Sequence, residues 1–378
     1  MQQITKNQVL ALLQGYEPPC ISLYQPTHRH YPGNQQDPIS YRNLLRELEA
    51  SLARKYPSRA FRPLVEKFES LIRDDDFWQH RTDGLAILAT RDQFRIFEFQ
   101  RPIEELLVVA DSFHLKPLLS NVQSIDRYQI LCLNRHTARL YEGNRDALDP
   151  VELTDVPSTI TEALGRELTE PHQTVASYGG GHESHHGHGG KKDEVSIDRD
   201  RFFRVIDRGI LEHHSRPSGL PLMLAALAEY QTPFREISHN TLLMADGLMK
   251  NPDAMTLDEL RQEAWKLVEP RYKARLADMV AEYETAKSRR LASDDLSLVA
   301  EAATRGRISS VLIEENRQVP GRIDAQSGAI RFGDLADPDT DDLLDDIAEL
   351  TLRAQGEVVV VPTRQMPTTT GVAATYRY

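Results

Sequence analysis

Short apolar strands alternate with amphipathic helical segments along almost the whole chain, and this alternation most narrows the fold, because it demands sheets with helices packed on them. Lys6 to Leu13 reads as a short helix ended by Gly15, and Cys20 to Tyr24 as a strand closed by Pro26. Helical spacing returns over Ile39 to Leu52 (Leu44, Leu45, Leu48, Leu52) and from about Arg62 to Arg73. Gly84 to Ala89 and Phe94 to Phe99 flank a polar turn and predict a hairpin, followed by a strand from Leu106 to Val109. A second hairpin pattern, Ile130 to Leu133 with Ala138 to Tyr141, opens a further unit. The segment Thr159 to Leu164 is weakly helical, Asp198 to His213 strongly so, and Leu220 to Leu227 reads as a buried run. Thr256 and Glu259 form a capping box for a helix that Pro270 is expected to interrupt or kink before it continues to about Arg290. A helix from Leu296 stops at Gly306, the strand Ile308 to Ile313 follows, and a helix through Leu343, Leu344, Ile347 and Leu350 leads past a capping Gly356 to the strand Val358 to Val361.

The 378 residues are enough for two or three domains. We expect three α/β domains, at residues 1–125, 126–250 and 251–378. With 40% apolar and 27% charged residues the composition is that of a globular protein, which excludes wholesale disorder. The net charge of −12 argues against wholesale electrostatic wrapping of nucleic acid and confines any such contact to local basic patches. Cys20 and Cys132 each sit in an apolar run and read as small core hydrophobes. The opening Met-Gln-Gln-Ile-Thr-Lys lacks the form of a signal peptide, and no apolar run reaches the ~18 residues needed to span a bilayer. A cytoplasmic protein without a membrane partner is expected.

One stretch stands apart. Gly179, Gly180 and Gly181 lead to His182, Glu183, Ser184, His185, His186, Gly187 and His188, then Gly189, Gly190, Lys191 and Lys192. With almost no apolar side chain to bury, it predicts an exposed loop within residues 179–190. Glycines let a backbone approach RNA closely, while His and Lys contact phosphates, so the segment suits an RNA-lined cavity. Unbound imidazoles are mostly neutral at pH 7, which leaves Lys191 and Lys192 as the dependable cations. The bland alternative is a surface linker. Metal capture by His182, His185, His186 and His188 is a further alternative, although the spacing matches no zinc module. Glu183, Ser184 and His185 give no oriented triad, and no nucleotide-binding glycine pattern follows a strand, so no catalytic residue, resident metal or cofactor is assigned.

The basic run Arg271, Lys273, Arg275, Lys287, Arg289 and Arg290 reads chiefly as a solvated helix face, with an RNA-facing stripe as the sharper alternative. His28, Arg29, His30, Arg42 and Arg46 form another candidate patch. The acidic set Asp334, Asp337, Asp339, Asp341, Asp342, Asp345 and Asp346 partly precedes a helix, and that edge is expected to face solvent or a protein.

Three α/β units in succession, a Gly-rich loop leading into an Arg-bearing helix in the second, Cys20-Ile-Ser-Leu-Tyr-Gln-Pro-Thr27, Ser112-Phe-His-Leu-Lys-Pro-Leu-Leu119 and the ending Thr370-Gly-Val-Ala-Ala-Thr-Tyr-Arg-Tyr378 together resemble the archaeo-eukaryotic release factor superfamily, which includes Pelota, and within it the bacterial branch. The resemblance implies a ribonuclease H-like middle domain and a C-terminal domain of the type shared with kink-turn-binding ribosomal proteins. It also implies a ribosome-associated translation factor whose contacts with rRNA and peptidyl-tRNA involve the 179–192 segment together with Arg201 and Arg204 of Arg201-Phe202-Phe203-Arg204. A translational GTPase is left open as a further partner, and so is the oligomeric state. True release factors carry Gly-Gly-Gln in this loop; here Gly181 leads to His182 and Gly190 to Lys191, and the Asn-Ile-Lys-Ser stop-codon motif is absent. The expected function is occupation of the A site of stalled or idle ribosomes without Gly-Gly-Gln hydrolysis, in rescue or hibernation. A peptidyl-tRNA hydrolase with a divergent loop and a His-cluster metal-responsive regulator are the alternatives.

Overall fold

The computed structural model describes residues 6–56, 58–123, 126–165, 190–334 and 340–378. The described residues are α/β, with four sheets among them, and the chain divides into two compact units: Met1–Gln123 with Ala274–Tyr378, and Ser124–Lys273.

The first unit opens with α1 (Lys6–Leu12) and the strand β1 (Cys20–Pro26), followed by α2 (Asp37–Lys55), α3 (Ser58–Leu71) and α4 (Asp75–Gln79). The hairpin β2 (Gly84–Ala89) and β3 (Phe94–Phe99), then β4 (Leu106–Ala110), complete an antiparallel sheet of order β3-β2-β1-β4. Both faces of this sheet are covered, which is why its strands read as continuous apolar runs. Ile21, Leu23, Leu85 and Ile87 pack with Tyr41, Leu48, Phe68 and Trp78 of the helices. The alternate residues Cys20, Tyr24, Ala86 and Leu88 share a core with Phe113 and Leu115 and with Val311, Ile347 and Val360 from the distal end of the sequence. Cys20 and Cys132 are both unpaired and buried as expected, and burial pushes each thiol up to about 12.

The second unit begins with β5 (Tyr128–Leu133), β6 (Ala138–Gly143) and β7 (Leu148–Val151), an antiparallel meander, and α5 (Lys116–Val122) precedes it in the chain. After α6 (Ile160–Leu164), α7 (Gly190–Ile210) and the short α8 (Arg216–Ser218), β8 (Leu222–Ala225) returns parallel to β5, giving the order β7-β6-β5-β8. Three antiparallel strands with a parallel fourth accord with the ribonuclease H-like arrangement implied by the resemblance. α9 (Ala228–Ile237) follows.

α10 (Leu257–Ser288) runs through Pro270, so of the expected interruption or kink no interruption occurs, and the helix continues nearly to Arg290 as expected. Proline removes one intrahelical donor, but Pro270 lies on the exposed side, where the orphaned Lys266 carbonyl can be hydrated. The rest of the first unit comprises β9 (Ala292–Ser293), α11 (Leu296–Thr304), β10 (Ile308–Glu314), a small sheet of β11 (Pro320–Ile323), β12 (Ile330–Phe332) and β13 (Asp341–Asp342), α12 (Leu343–Arg353), β14 (Glu357–Val361) and β15 (Val372–Tyr376). Its main sheet has the order β14-β10-β15-β9, with β14 parallel to β10. Gly306, at φ +64°, ends α11 as expected. At the end of α12 it is Gln355 that takes the left-handed φ of +60°, not Gly356. Gly356 is needed there for space, because a Cβ would stand 2.6 Å from Thr351 Cγ2. No described helix is long and apolar enough to cross a membrane.

Candidate nucleic-acid interface

α7 is amphipathic in a way that displays its arginines. Phe202, Phe203, Ile206 and Ile210 recur at helical spacing and are fully buried against Leu131, Leu133, Leu140, Leu222 and Leu224 of the sheet. Phe203 fixes the rotation of the helix by edge-on contact with Tyr230 and Phe234, ring centroids 6.1 and 5.7 Å away. The opposite face presents Ile197, Arg201, Arg204, Val205 and Arg208 to solvent. Arg201 Nη1 lies 3.7 Å from Asp198, and Arg208 pairs with Glu212 one turn on at 3.2 Å. The Arg204 side chain has no hydrogen-bond or ion-pair partner among the described residues. Arg199, by contrast, pairs with Asp200 at 2.7 Å and stands over the Phe203 ring, so it secures the helix. Arg201, Arg204 and Arg208 thus form a row of guanidinium forks on one rigid element, a geometry suited to successive phosphates.

The C-terminal end of the helix passes into a π-helical turn, Leu211–Ser215, and Gly219 takes φ +66°. That turn is pinned from below. Buried Asp207 accepts hydrogen bonds from Ser238 Oγ (2.5 Å) and His239 N (2.8 Å), and Asn240 Nδ2 donates to Ser215 Oγ (2.8 Å). This positioning network was not anticipated from sequence. Its one visible signal is a carboxylate, Asp207, on the apolar side of an otherwise regular helical pattern. Burial, and the neighbouring His213, hold His214 below the usual imidazole range.

Of the expected site residues, Gly179, Gly180, Gly181, His182, His185, His186, His188 and Gly189 lie outside the described residues. Gly190 is the first residue of α7, and Lys191 and Lys192 follow in its first turn. Arg201 and Arg204 are brought together on the exposed face. No group of His, Cys, Asp or Glu among the described residues could hold a metal ion.

Elsewhere the basic patches are partly neutralised, in line with the bland reading. His28 pairs with Asp37 (2.7 Å) and Arg29 with Asp83 (2.7 Å), while Lys273, Arg275 and Lys287 pair with Glu269, Glu357 and Asp294. The acidic segment before α12 departs from expectation: Asp342 and Asp345 do not face solvent but are buried within the first unit. Lys116 Nζ, itself buried, bonds Asp342 at 2.5 Å and also donates to the Arg317 carbonyl. Asp345 accepts from the amides of Leu115 and Lys116 and so caps α5 from another element. Burial raises the Asp345 carboxyl to about 7, with Asp342 adding to the rise; Asp341 goes up to about 6 and Glu349 to about 9 for the same first reason. Burial also lowers His114 to about 4. Asp341, Asp346 and Glu349 border a cavity of about 330 Å³ with Tyr16, Arg322 and Arg353. Without an oriented nucleophile, this cluster serves as a polar seam between sequence-distant parts of one core.

Residues 127–307 match bacterial archaeo-eukaryotic release factor family 3, a segment that contains the whole sheet of the second unit, residues 179–192 and α7. Over that segment the resemblance to the bacterial release factor branch is borne out. Among solved structures, a chain of the ribosome-bound archaeal Pelota and ABCE1 assembly is 10% identical, with 100% of this chain and 95% of that chain covered, at a TM-score of 0.42. Saccharomyces cerevisiae Dom34, described as a translation termination-like factor involved in RNA quality control pathways and interacting with Hbs1, is 10% identical over 78% of this chain and 79% of that one, at 0.39. Archaeal translation termination factor aRF1 is 16% identical over 100% and 99%, at 0.27. No curated protein matches the sequence.

Proposed function

We propose that this protein is a ribosome-associated translation factor that occupies the A site of stalled or idle bacterial ribosomes and does not hydrolyse peptidyl-tRNA by the Gly-Gly-Gln route. The match to the bacterial release factor family over 127–307 carries this reading, because it spans the Gly/His-rich segment and the arginine face of α7 together. The chemistry is consistent with binding. Arg201, Arg204 and Arg208 supply bidentate phosphate donors, and Gly179 to Gly190 supply a backbone able to approach RNA closely. Lys191 and Lys192 add cations at the junction of the two. Under the same reading a translational GTPase is the candidate delivery partner.

The missing Gln argues against release. Ester hydrolysis requires a water aligned at the carbonyl, and alignment accounts for much of such an enzyme's rate advantage. Here the neighbouring side chains are imidazoles on a glycine-rich stretch, whose conformational entropy opposes fixed alignment. The test uses purified bacterial ribosomes with labelled peptidyl-tRNA in the P site. We expect the protein to be retained, to be displaced by A-site tRNA, and to release no peptide above background. Robust release that is lost when His182, His185, His186 and His188 are replaced together by Ala would identify a hydrolase instead. Release that also needs added zinc and disappears with a chelator would favour the metal-dependent alternative.

A further inference from the structure

At one end of the β14-β10-β15-β9 sheet four chain segments converge: the residues after α10, the α11–β10 connection, the α12–β14 connection and the end of β15. Their register is fixed by main-chain bonds, Tyr376 N to Leu291 O (2.8 Å) and Arg377 N to Arg307 O (2.8 Å). Arg289 and Arg290 therefore flank the same sheet end as Arg307, Arg377 and Tyr378.

Part of the charge there is uncompensated, that of Arg289 and Arg290. The side chains of Arg289 and Arg290 are exposed and have no hydrogen-bond or ion-pair partner among the described residues, their amides alone being bonded, to Ala286 and Lys287. Arg377 donates to the carbonyls of Ala354 (2.6 Å) and Ile308 (3.2 Å), and Arg307 to the main-chain oxygen of Tyr378 (2.7 Å). No described side-chain carboxylate pairs with either. Of the neighbouring acids, Glu301 is engaged with Arg305 (2.6 Å), Glu357 with Arg275 (2.9 Å) and Asp294 with Lys287 (2.9 Å), while Asp295, close enough to act on Tyr376, caps α11 through the amides of Ser297 and Leu298. On a chain of net charge −12 this end is a local exception.

An aromatic platform completes it. The Arg307 guanidinium lies 5.6 Å from the Tyr376 ring centre and 5.5 Å from that of Tyr378. Tyr378 remains 68% exposed. A ring braced by a cation and open to solvent, beside unpaired guanidinium groups, combines the two elements that bind unpaired nucleotides: a stacking surface and phosphate donors.

We infer that this sheet end is a second nucleic-acid contact, in which Tyr378 stacks on a base of a single-stranded RNA stretch while Arg289 and Arg290 bind its flanking phosphates. The choice of RNA over DNA rests on the ribosome reading; the stacking and phosphate chemistry does not. RNA is favoured over an acidic peptide because a peptide would use the charges and leave the braced ring without a role.

Fluorescence anisotropy with a labelled 12-nucleotide single-stranded RNA of mixed sequence, titrated with the full chain between 50 and 200 mM salt, tests the inference. The wild type should bind, and Arg289→Gln/Arg290→Gln should weaken binding at least fivefold and reduce the slope of log affinity against log salt by about 1.4, or about 0.7 per phosphate. Tyr378→Ala should weaken binding with little change in slope, since it removes stacking and no charge. The Gln variants keep the same backbone demands at an exposed turn, and circular dichroism checks their folding. The inference is overturned if the wild type does not bind, if the variants bind like wild type, if polyglutamate competes as well as unlabelled RNA, or if only Arg201→Gln/Arg204→Gln abolishes binding. The same-sequence DNA reports the source of the ligand: equal affinity overturns the assignment to RNA. Ribosome sedimentation of the same variants separates this contact from the proposed function, because association of the wild type with ribosomes would survive failure of the oligonucleotide assay.

Discussion

Around Lys116 the first unit holds more carboxyl groups than cations in a largely buried cluster, and the consequence is a stability that depends on pH. Asp341, Asp345 and Glu349 are raised to about 6, 7 and 9, chiefly by burial and then by a neighbouring carboxylate, Asp345 acting on Asp341 and Glu349, and Asp342 acting on Asp345. Asp346 is raised as well, with Arg322 opposing the shift, as Lys116 opposes it at Asp345 and Arg353 at Glu349. Because their folded pKa values lie above the ordinary carboxyl range near ~4, the folded chain keeps protons that the unfolded chain has released. Stability is therefore lost as pH rises through the folded values. His114, lowered to about 4, acts in the opposite sense: the unfolded chain gains a proton below about 6.5 while the folded one does not. Between pH 6.5 and 9 the carboxyl effect remains, joined toward the top of that range by the buried Cys20 thiol, which stays protonated in the folded chain. We expect the urea midpoint of the first unit, followed by Trp78 in a Trp265→Phe background, to fall from pH 6.5 to 8.5, and Glu349→Gln to reduce that fall. Equal pH dependence in both chains would mean that Glu349 does not titrate in this window. None of this was legible in the sequence, where Asp342 and Asp345 read as ordinary acids at a helix start. Their partner Lys116 lies 226 residues from Asp342, and short-range patterns carry no information about such pairs.

At the scale of elements the sequence was a good guide wherever one periodicity dominated. The hairpin of β2 and β3 and the capping box at Thr256 and Glu259 follow from local chemistry alone, and the structure shows both. Pro270 and Gly356 were misleading because the expectation in each case used a residue's usual role. Exposure makes a helical proline tolerable at Pro270, and crowding by Thr351 explains the glycine at 356. In α7 the apolar spacing revealed the buried face, hence the exposed one, but not the π-helical turn or its anchors. The exposed arginine row makes a specific claim on binding. If Arg201, Arg204 and Arg208 each neutralise one ribosomal phosphate, their joint replacement by Gln should reduce the salt slope by about 2–3, at roughly 0.7–0.9 per contact. The helix should remain folded, because all three side chains are exposed and none joins the core. An unchanged slope would place the ribosome contact on another surface.

For the whole molecule, if this acidic chain binds ribosomes as proposed, it must do so through few, well-placed cations, so its association should be strong at low ionic strength and fall steeply with salt. The order of motifs along the sequence already suggested a release factor relative, and the family match over 127–307 agrees. The departure from Gly-Gly-Gln was equally plain in the sequence, because it is a matter of residue identity and needs no fold. The arrangement that gives the remaining cations a direction required three dimensions. The most direct test of the account is sedimentation of the tagged full-length protein through sucrose with bacterial ribosomes, from translating and from starved extracts at low salt. The account predicts co-migration with ribosomes in at least one of the two extracts and its loss at high salt. A protein that stays at the top of the gradient in both extracts at low salt would contradict it.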